Sequence, residues 1–550
     1  VKRLLEAVLR LWECEPAWGW RKHLLFLLPA AVVCGAVAYV GAVRTHACGH
    51  DVFVFLDGAW RMWNGQRPHV DFYSVMGPLI YLVTAAGLAL SGLKVEGIGY
   101  GLALFAAAAG TWGYRLAAAR MRPVPAALTG VFLVLLAGAP APLGTGPPSL
   151  SHAMVYNRFG YALLALVLLE VLEEPRLARR RARARWLGGL SAGVASVLLL
   201  FLKPSYFLVA VFMILAFAPL RPRGGRSWLG VAAGAGATLL AALACLRFDA
   251  GAFLADQWMA GAVRAGRLAS PETLAIAWRS QGELVLMALV ALMCTSWRAG
   301  AGRPGSLGEW KWVAAAAAVF AAGVLLMRTN AQDAGFPLSV VLVMLMAGST
   351  GEAWAGYSPE QGEGVRMGRA ACALGALLLL AANASLDAAS LARAAYEKLR
   401  PPQGTASFLP AHLSGLWLYD LGDPAHPLAH TNGPRYVGHV NDGIRLLQAR
   451  SAAGESVATL AQVNPFSFAL LRRPAPGGAT LLTYGFEFNE LHKPDAARLF
   501  GGADIVMVPK RNLSLPEAHE AALRIYLPEI RKRFTLAAES ADWWMYRRSQ

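Results

Sequence analysis

The chain has 550 residues, of which 56% are hydrophobic and 15% charged, with a formal net charge of +17. So apolar a composition excludes an ordinary soluble protein of this size, whose surface needs more polar residues. The positive charge does not point to nucleic acid, because the basic residues sit mainly in short loops beside apolar runs long enough to cross a bilayer.

The first two dozen residues carry Lys2, Arg3, Arg10, Arg21 and Lys22. They read as a cytoplasmic amphipathic lead-in, not a cleavable signal, since the following span is long and lacks a small-residue cleavage site. Apolar segments follow near 24–44, 75–91, 97–116, 124–142, 159–173, 187–202, 205–220, 227–247, 282–297, 312–327, 336–355 and 369–385. Twelve crossings from a cytoplasmic N-terminus would put the basic residues of 115–122 and 176–185 outside, against the positive-inside rule.

Segment 75–91 is a short candidate crossing, opening on Gly77-Pro78 and closing on Ser91-Gly92. Read as a re-entrant or interfacial helix, it leaves about eleven transmembrane helices. The basic clusters at 115–122, 176–185, 221–226 and 298–311, and Arg366 with Arg369, then all face the cytoplasm. The longer, less basic connections at 45–96, 143–158, 248–281 and 328–335 face outward, and the C-terminal region follows them. The competing reading has 75–91 crossing and a neighbouring segment broken.

Residues 1–385 thus form the transmembrane domain, 386–435 a linker region and 436–550 a small external α/β domain. Within 386–399 a surface helix is expected. Helices are expected at 441–450, 494–500 and 516–534, and strands at 457–460, 479–484, 503–508, 534–538 and 543–546. No glycine-rich phosphate loop follows a strand. The six cysteines (Cys14, Cys34, Cys48, Cys245, Cys294, Cys372) show neither metal-ligand nor disulfide spacing, and His412, His426, His430 and His439 match no metal pattern.

Chemistry is sought where polar groups gather at the outward ends of spans. The loop after the first span places Asp51 at the start of an amphipathic helix over 53–63, with Trp60 and Trp63 expected to anchor it at the membrane surface. First-turn amides would keep the Asp51 carboxylate ionised. Asp57, Arg61, Arg67 and Asp71 follow, with His50 and His69 as weaker candidates and His69 read as a surface residue. The next outward loop offers His152, Tyr156, Asn157 and Arg158. Lys203 caps a hairpin of two spans, and Arg328, Asn330, Gln332 and Asp333 sit on another turn. Arginine and lysine at span ends also snorkel or pair structurally.

At the first loop the sequence resembles the superfamily of membrane glycosyltransferases that use polyprenyl-phosphate-linked sugars, which includes protein mannosyltransferases and the lipid A aminoarabinose transferase. Asp51 matches the acid after the first span. Gly65, Pro68, Asp71 and Phe72 match a second element, and Gly77-Pro78-Leu79 a third. The resemblance implies a GT-C fold with juxtamembrane helices in the first external loop, set in a bacterial inner membrane with the active face periplasmic or extracellular.

It implies transfer of a sugar from the polyprenyl-phosphate donor to an external acceptor in envelope glycan, lipid or protein glycosylation. Asp51 would serve as general base, while Lys203, Arg158 and Arg328, then Arg61 and Arg67, would meet the leaving phosphate. Membrane lipids are the implied partners, with no nucleic acid. The chain departs from the pattern at Val52, where relatives often carry a second acid. That leaves no cofactor certain and gives a divalent metal only weak support. The alternatives are a transporter of a lipid-linked or anionic compound and a non-catalytic envelope-assembly protein.

Overall fold

A computed structural model of the chain describes residues 2–13, 19–45, 49–172, 182–218, 225–264, 271–299, 310–330, 332, 335–349, 363–420, 433–511 and 516–549. Cys14, Cys48, Asp333, His426, His430 and most of the basic run at 176–185 lie outside the described residues, as do Arg221 and Arg223.

Helices dominate the first four hundred residues. They begin with α1 (Lys2–Trp12), α2 (Leu24–Val40), α3 (Asp51–Trp63), α4 (Pro78–Ser91) and α5 (Gly97–Ala118). Next come α6 (Pro123–Gly138), α7 (Val155–Leu172), α8 (Ala182–Leu200), α9 (Pro204–Ala216) and α10 (Gly225–Cys245). The series ends with α11 (Ala250–Arg264), α12 (Pro271–Arg279), α13 (Gln281–Ala299), α14 (Lys311–Thr329), α15 (Pro337–Gly348) and α16 (Glu363–Leu399). Four of these, α7, α10, α14 and most of α16, are long and apolar enough to cross a membrane, and the bent pair α12–α13 would make a fifth. Several further helices are apolar but shorter, α4 among them.

Helix α7 is buried along nearly its whole length, whereas α9, α10 and α13 expose Leu208, Phe212, Leu240 and Leu289. An apolar outer surface around a buried central helix is what a bundle shows when its solvent is lipid. The crossing of α8 and α10 depends on small residues. A Cβ on Gly189 would come within 2.0 Å of the Ser227 carbonyl oxygen, and one on Gly234 within 2.3 Å of that of Leu190. Close backbone approach through such spacing is how helices associate without a hydrophobic driving force.

The expected break between a last span and a surface helix at 386–399 does not occur. Helix α16 runs unbroken from Glu363 to Leu399. No proline or glycine interrupts 376–399, so nothing in the chain stops the helix there.

Beyond α16, β1 (Ala406–Ser407) pairs antiparallel with β2 (Trp417–Leu418). The remaining helices are α17 (Gly433–Arg450), α18 (Phe466–Ala469), α19 (Ala496–Phe500) and α20 (Pro516–Arg531). A four-stranded sheet combines β3 (Val457–Thr459), β4 (Ile505–Pro509), β5 (Phe534–Glu539) and β6 (Trp543–Arg548) in the order β3-β4-β6-β5. Strands β3 and β4 are parallel, and the other neighbours are antiparallel. Residue β4 positions are all buried, as their continuous apolar run requires.

One expected strand is absent. Residues 479–484 run as irregular chain whose backbone bonds go elsewhere: Thr480 N–H donates to the Tyr73 carbonyl and Leu482 N–H to that of Gln462. Gly477 and Gly478, at φ +80° and +83°, turn the chain onto the first loop.

Candidate functional site

Helix α3 does not lie on the lipid surface. Residues 52–61 are all buried, and Trp60 donates its indole N–H to the Arg472 carbonyl at 2.7 Å while its ring meets Phe468 edge-on. Only Trp63 stays exposed. The apolar face read as membrane-seeking instead packs beneath the C-terminal unit, an equally good way to remove it from water.

The neighbouring α4 starts and finishes against that same unit. Near its start, the Tyr81 hydroxyl is 2.8 Å from Thr480 Oγ1. Just past its end, Val95 N–H donates to the His412 carbonyl at 2.9 Å. The Gly77-Pro78-Leu79 motif also has a local task. Gly77 and Leu79 donate their N–H groups to the carbonyls of Leu202 and Phe201, and a Cβ at Gly77 would strike the Phe201 carbonyl oxygen at 2.0 Å. The motif therefore clamps the turn between α8 and α9, which carries Lys203.

Lys203 is half-buried, and its ammonium lies 4.7 Å from the centre of the Tyr156 ring, a cation–π contact. No carboxylate pairs with it among the described residues. Burial pushes its pKa well below the usual lysine range and the nearby Arg264 guanidinium adds to this, while Glu487 opposes. Arg264, the last residue of α11, donates to Glu487 Oε1 at 2.7 Å and to the Phe486 carbonyl at 2.9 Å. Glu487 is buried, which raises its pKa against the pull of Arg264.

Asp51 opens α3 with its side chain 21% exposed, and Oδ1 lies 3.0 Å from His50 Nε2. Asp51, Arg264 and Glu487 are all close enough to act electrostatically on the Tyr156 hydroxyl. One carboxylate, one unpaired ammonium and one ion pair thus surround a single tyrosine at the junction of α3, α7, the α8–α9 turn, α11 and the C-terminal unit.

Beneath Lys203, neutral groups fix the floor. Tyr206 donates its hydroxyl to Asn157 Oδ1 at 3.0 Å, Asn157 donates to the Asn330 carbonyl at 3.3 Å, and Ser205 donates to Asn330 Oδ1 at 3.3 Å. Gln332 donates to the Gly335 carbonyl nearby in the chain.

The other candidates are engaged elsewhere. Arg158, 1% exposed, bonds the carbonyls of Ala141 and Leu136 and pairs with Asp387 at 2.9 Å. Asp57 and Arg61 form a fully buried pair at 2.7 Å, and Arg61 also holds the carbonyls of Ala475 and Gly477. Burial raises the Asp57 pKa despite that partner. Arg67 and Asp71 close on each other through two contacts of 2.7 and 2.8 Å. Arg328 meets the exposed Glu272 at 2.6 Å. His152 accepts from the Val43 N–H at 3.0 Å, and burial takes its pKa down to about 4.

His69 is not a surface residue: it is fully buried, with Nδ1 3.1 Å from Asp256 Oδ2. Arg498 reaches that same carboxylate at 2.6 Å and the His69 carbonyl at 2.6 Å. Sequence reasoning missed Asp256, Arg264, Glu487 and Arg498. The amphipathic run at 250–264, lying in a loop read as a plain connection, was the available signal.

No group of three or more His, Cys, Asp or Glu side chains able to hold a metal occurs among the described residues. No family model matches the chain, and no curated protein is similar to it. Among solved structures the chain is similar to ArnT from Cupriavidus metallidurans bound to undecaprenyl phosphate, at 13% identity, with 96% of this chain and 98% of that one covered and a TM-score of 0.38.

Proposed function

We propose that the protein is a membrane glycosyltransferase that moves a sugar from a polyprenyl-phosphate donor to an acceptor outside the cytoplasm. The observation that carries this reading is Lys203: a cation fixed by a clamped turn, stacked on Tyr156 and paired with no carboxylate among the described residues, while the partly exposed Asp51 acts electrostatically on that same tyrosine. An ammonium so placed is suited to a phosphate ester, because it supplies charge that no protein group already neutralises.

In this reading Lys203 holds the donor phosphate. Asp51 takes the proton from the acceptor hydroxyl or amine as its oxygen or nitrogen attacks the anomeric carbon, and the polyprenyl phosphate departs as an anion. Tyr156 positions the ammonium, and Asn157 and Asn330 fix the turn below it. Arg158, Asp57 and Arg61 hold the scaffold, as do Arg67 and Asp71.

The same reading has α4 entering and leaving on the face of the C-terminal unit, which supports eleven spans and an external C-terminal domain. The test is transfer of labelled sugar from polyprenyl phosphate to an envelope fraction by the purified protein in nanodiscs. Wild-type transfer lost in both Asp51→Asn and Lys203→Ala is expected. Transfer by Asp51→Asn at the wild-type rate, or failure of the wild type to bind polyprenyl phosphate, overturns the reading.

A further inference from the structure

Helix α1 divides its surface into three sectors. Val8, Leu9 and Trp12 are buried against the bundle. Trp12 donates its indole N–H to the Ala347 carbonyl at 3.1 Å, at the end of α15. Glu13, one residue past the helix, pairs with Arg369 of α16 at 2.7 Å and lies 3.8 Å from Arg122, just before α6. These contacts fix α1 to one end of the bundle and turn Glu13 toward two arginines that more than offset its charge.

The second sector is apolar and uncovered. Leu4, Ala7 and Leu11 recur at helical spacing on one face. All three are exposed, Leu4 at 58% and Leu11 at 68%. The third sector is basic. Arg3 and Arg10, seven positions apart, border the Leu4–Leu11 stripe and are exposed. Arg10 meets Glu6 only at 3.8 Å, with its own side chain 81% exposed. Past the helix, Trp20 and Lys22 are exposed as well.

An apolar stripe bordered by arginines is poorly placed in water or in hydrocarbon and well placed at the boundary between them. The same end of the bundle carries Arg115, Arg122, Arg366 and Arg369, the basic excess that marks a cytoplasmic face. We infer that α1 is an anionic-lipid-binding helix. Leu4 and Leu11 enter the acyl boundary of the leaflet at that end, and Arg3 and Arg10 hold the phosphate groups of acidic phospholipids. Zwitterionic lipid would cover the stripe without meeting the charge, whereas acidic headgroups do both. A protein partner fits less well, since two leucines and an alanine fall far short of a stable protein interface. The inference is independent of the transfer reaction.

The full chain in uncharged detergent is titrated with phosphatidylglycerol or phosphatidylcholine while its unfolding midpoint is followed, because a ligand of the native state raises that midpoint. Phosphatidylglycerol is expected to act at the lower concentration, with the difference shrinking as salt is added. In Arg3→Gln/Arg10→Gln, half-saturation by phosphatidylglycerol is expected to rise about 10- to 30-fold, the weight of two arginines near an acidic surface. The phosphatidylcholine response and the midpoint without lipid stay close to wild type. Arg3→Lys/Arg10→Lys, which keeps the charge, is expected to bind as wild type does, and Leu4→Ser/Leu11→Ser to respond more weakly to both lipids. An unchanged response in either the glutamine or the serine pair overturns the assignment. So does loss in the lysine pair, because charge is then not what binds, and so does an equal response of the wild type to the two lipids.

Discussion

Arg158 and Lys203 occupy similar places in the chain, each a cation at the end of an apolar helix, yet their surroundings are opposite. Arg158 is enclosed, with two carbonyls and the Asp387 carboxylate around its guanidinium. Lys203 has an aromatic face under it and no carboxylate beside it. A charge whose bonds are all satisfied inside the protein holds elements together; one left open has affinity to spare for something that arrives. Position along the chain does not separate these two cases, but partners do.

The comparison breaks if the open groups prove dispensable or the closed ones prove catalytic. The largest expected effect is on Asp51→Asn, where loss of a general base lowers the transfer rate about 10²- to 10⁴-fold with polyprenyl-phosphate binding retained; steady-state kinetics in nanodiscs measure it. Next, Arg158→Met strands Asp387 without its partner and costs about 3–5 kcal/mol of stability, read as a lowered thermal unfolding midpoint. A stable Arg158→Met that has lost donor binding would reverse the assignment of the two cations.

Lys203→Ala is expected to weaken polyprenyl-phosphate binding about 10- to 100-fold, the contribution of a charged hydrogen bond, with the unfolding midpoint little changed. The smallest effect concerns pH. Because the Lys203 pKa is depressed, its charge is present at low pH and is lost as pH rises through that lowered value, below the range of an ordinary lysine. Affinity for polyprenyl phosphate is therefore expected to fall with rising pH over that interval, and Lys203→Arg, which keeps its charge, to flatten the curve.

Much of the fold was legible from hydropathy. The helices at 24–40, 123–138 and 311–329, and the strands from residue 457 onward apart from 479–484, lie close to where periodicity places them. Asp51, Tyr156 and Lys203 also stood out, as polar residues at helix ends. What could not be read was pairing. Arg264 and Glu487 are 223 positions apart, and Asp256 and Arg498 are 242 apart. No local pattern links residues so distant, and Asp256, Arg264 and Glu487 lie in stretches read as connections. The destination of α3 was hidden for a related reason. An amphipathic face seeks any apolar neighbour, and periodicity does not say whether lipid or protein will supply it.

Helix α16 has a mechanical consequence. Its 37 residues make a rod about 55 Å long, well beyond the roughly 30 Å hydrocarbon core of a bilayer. The chain leaves that rod through the short irregular stretch 400–405 and then enters β1. Tilting the rod to suit a thinner or thicker bilayer swings its tip sideways. The ion pair of Arg264 with Glu487 and the bond from Trp60 to the Arg472 carbonyl tie the C-terminal unit to the bundle by routes other than that rod.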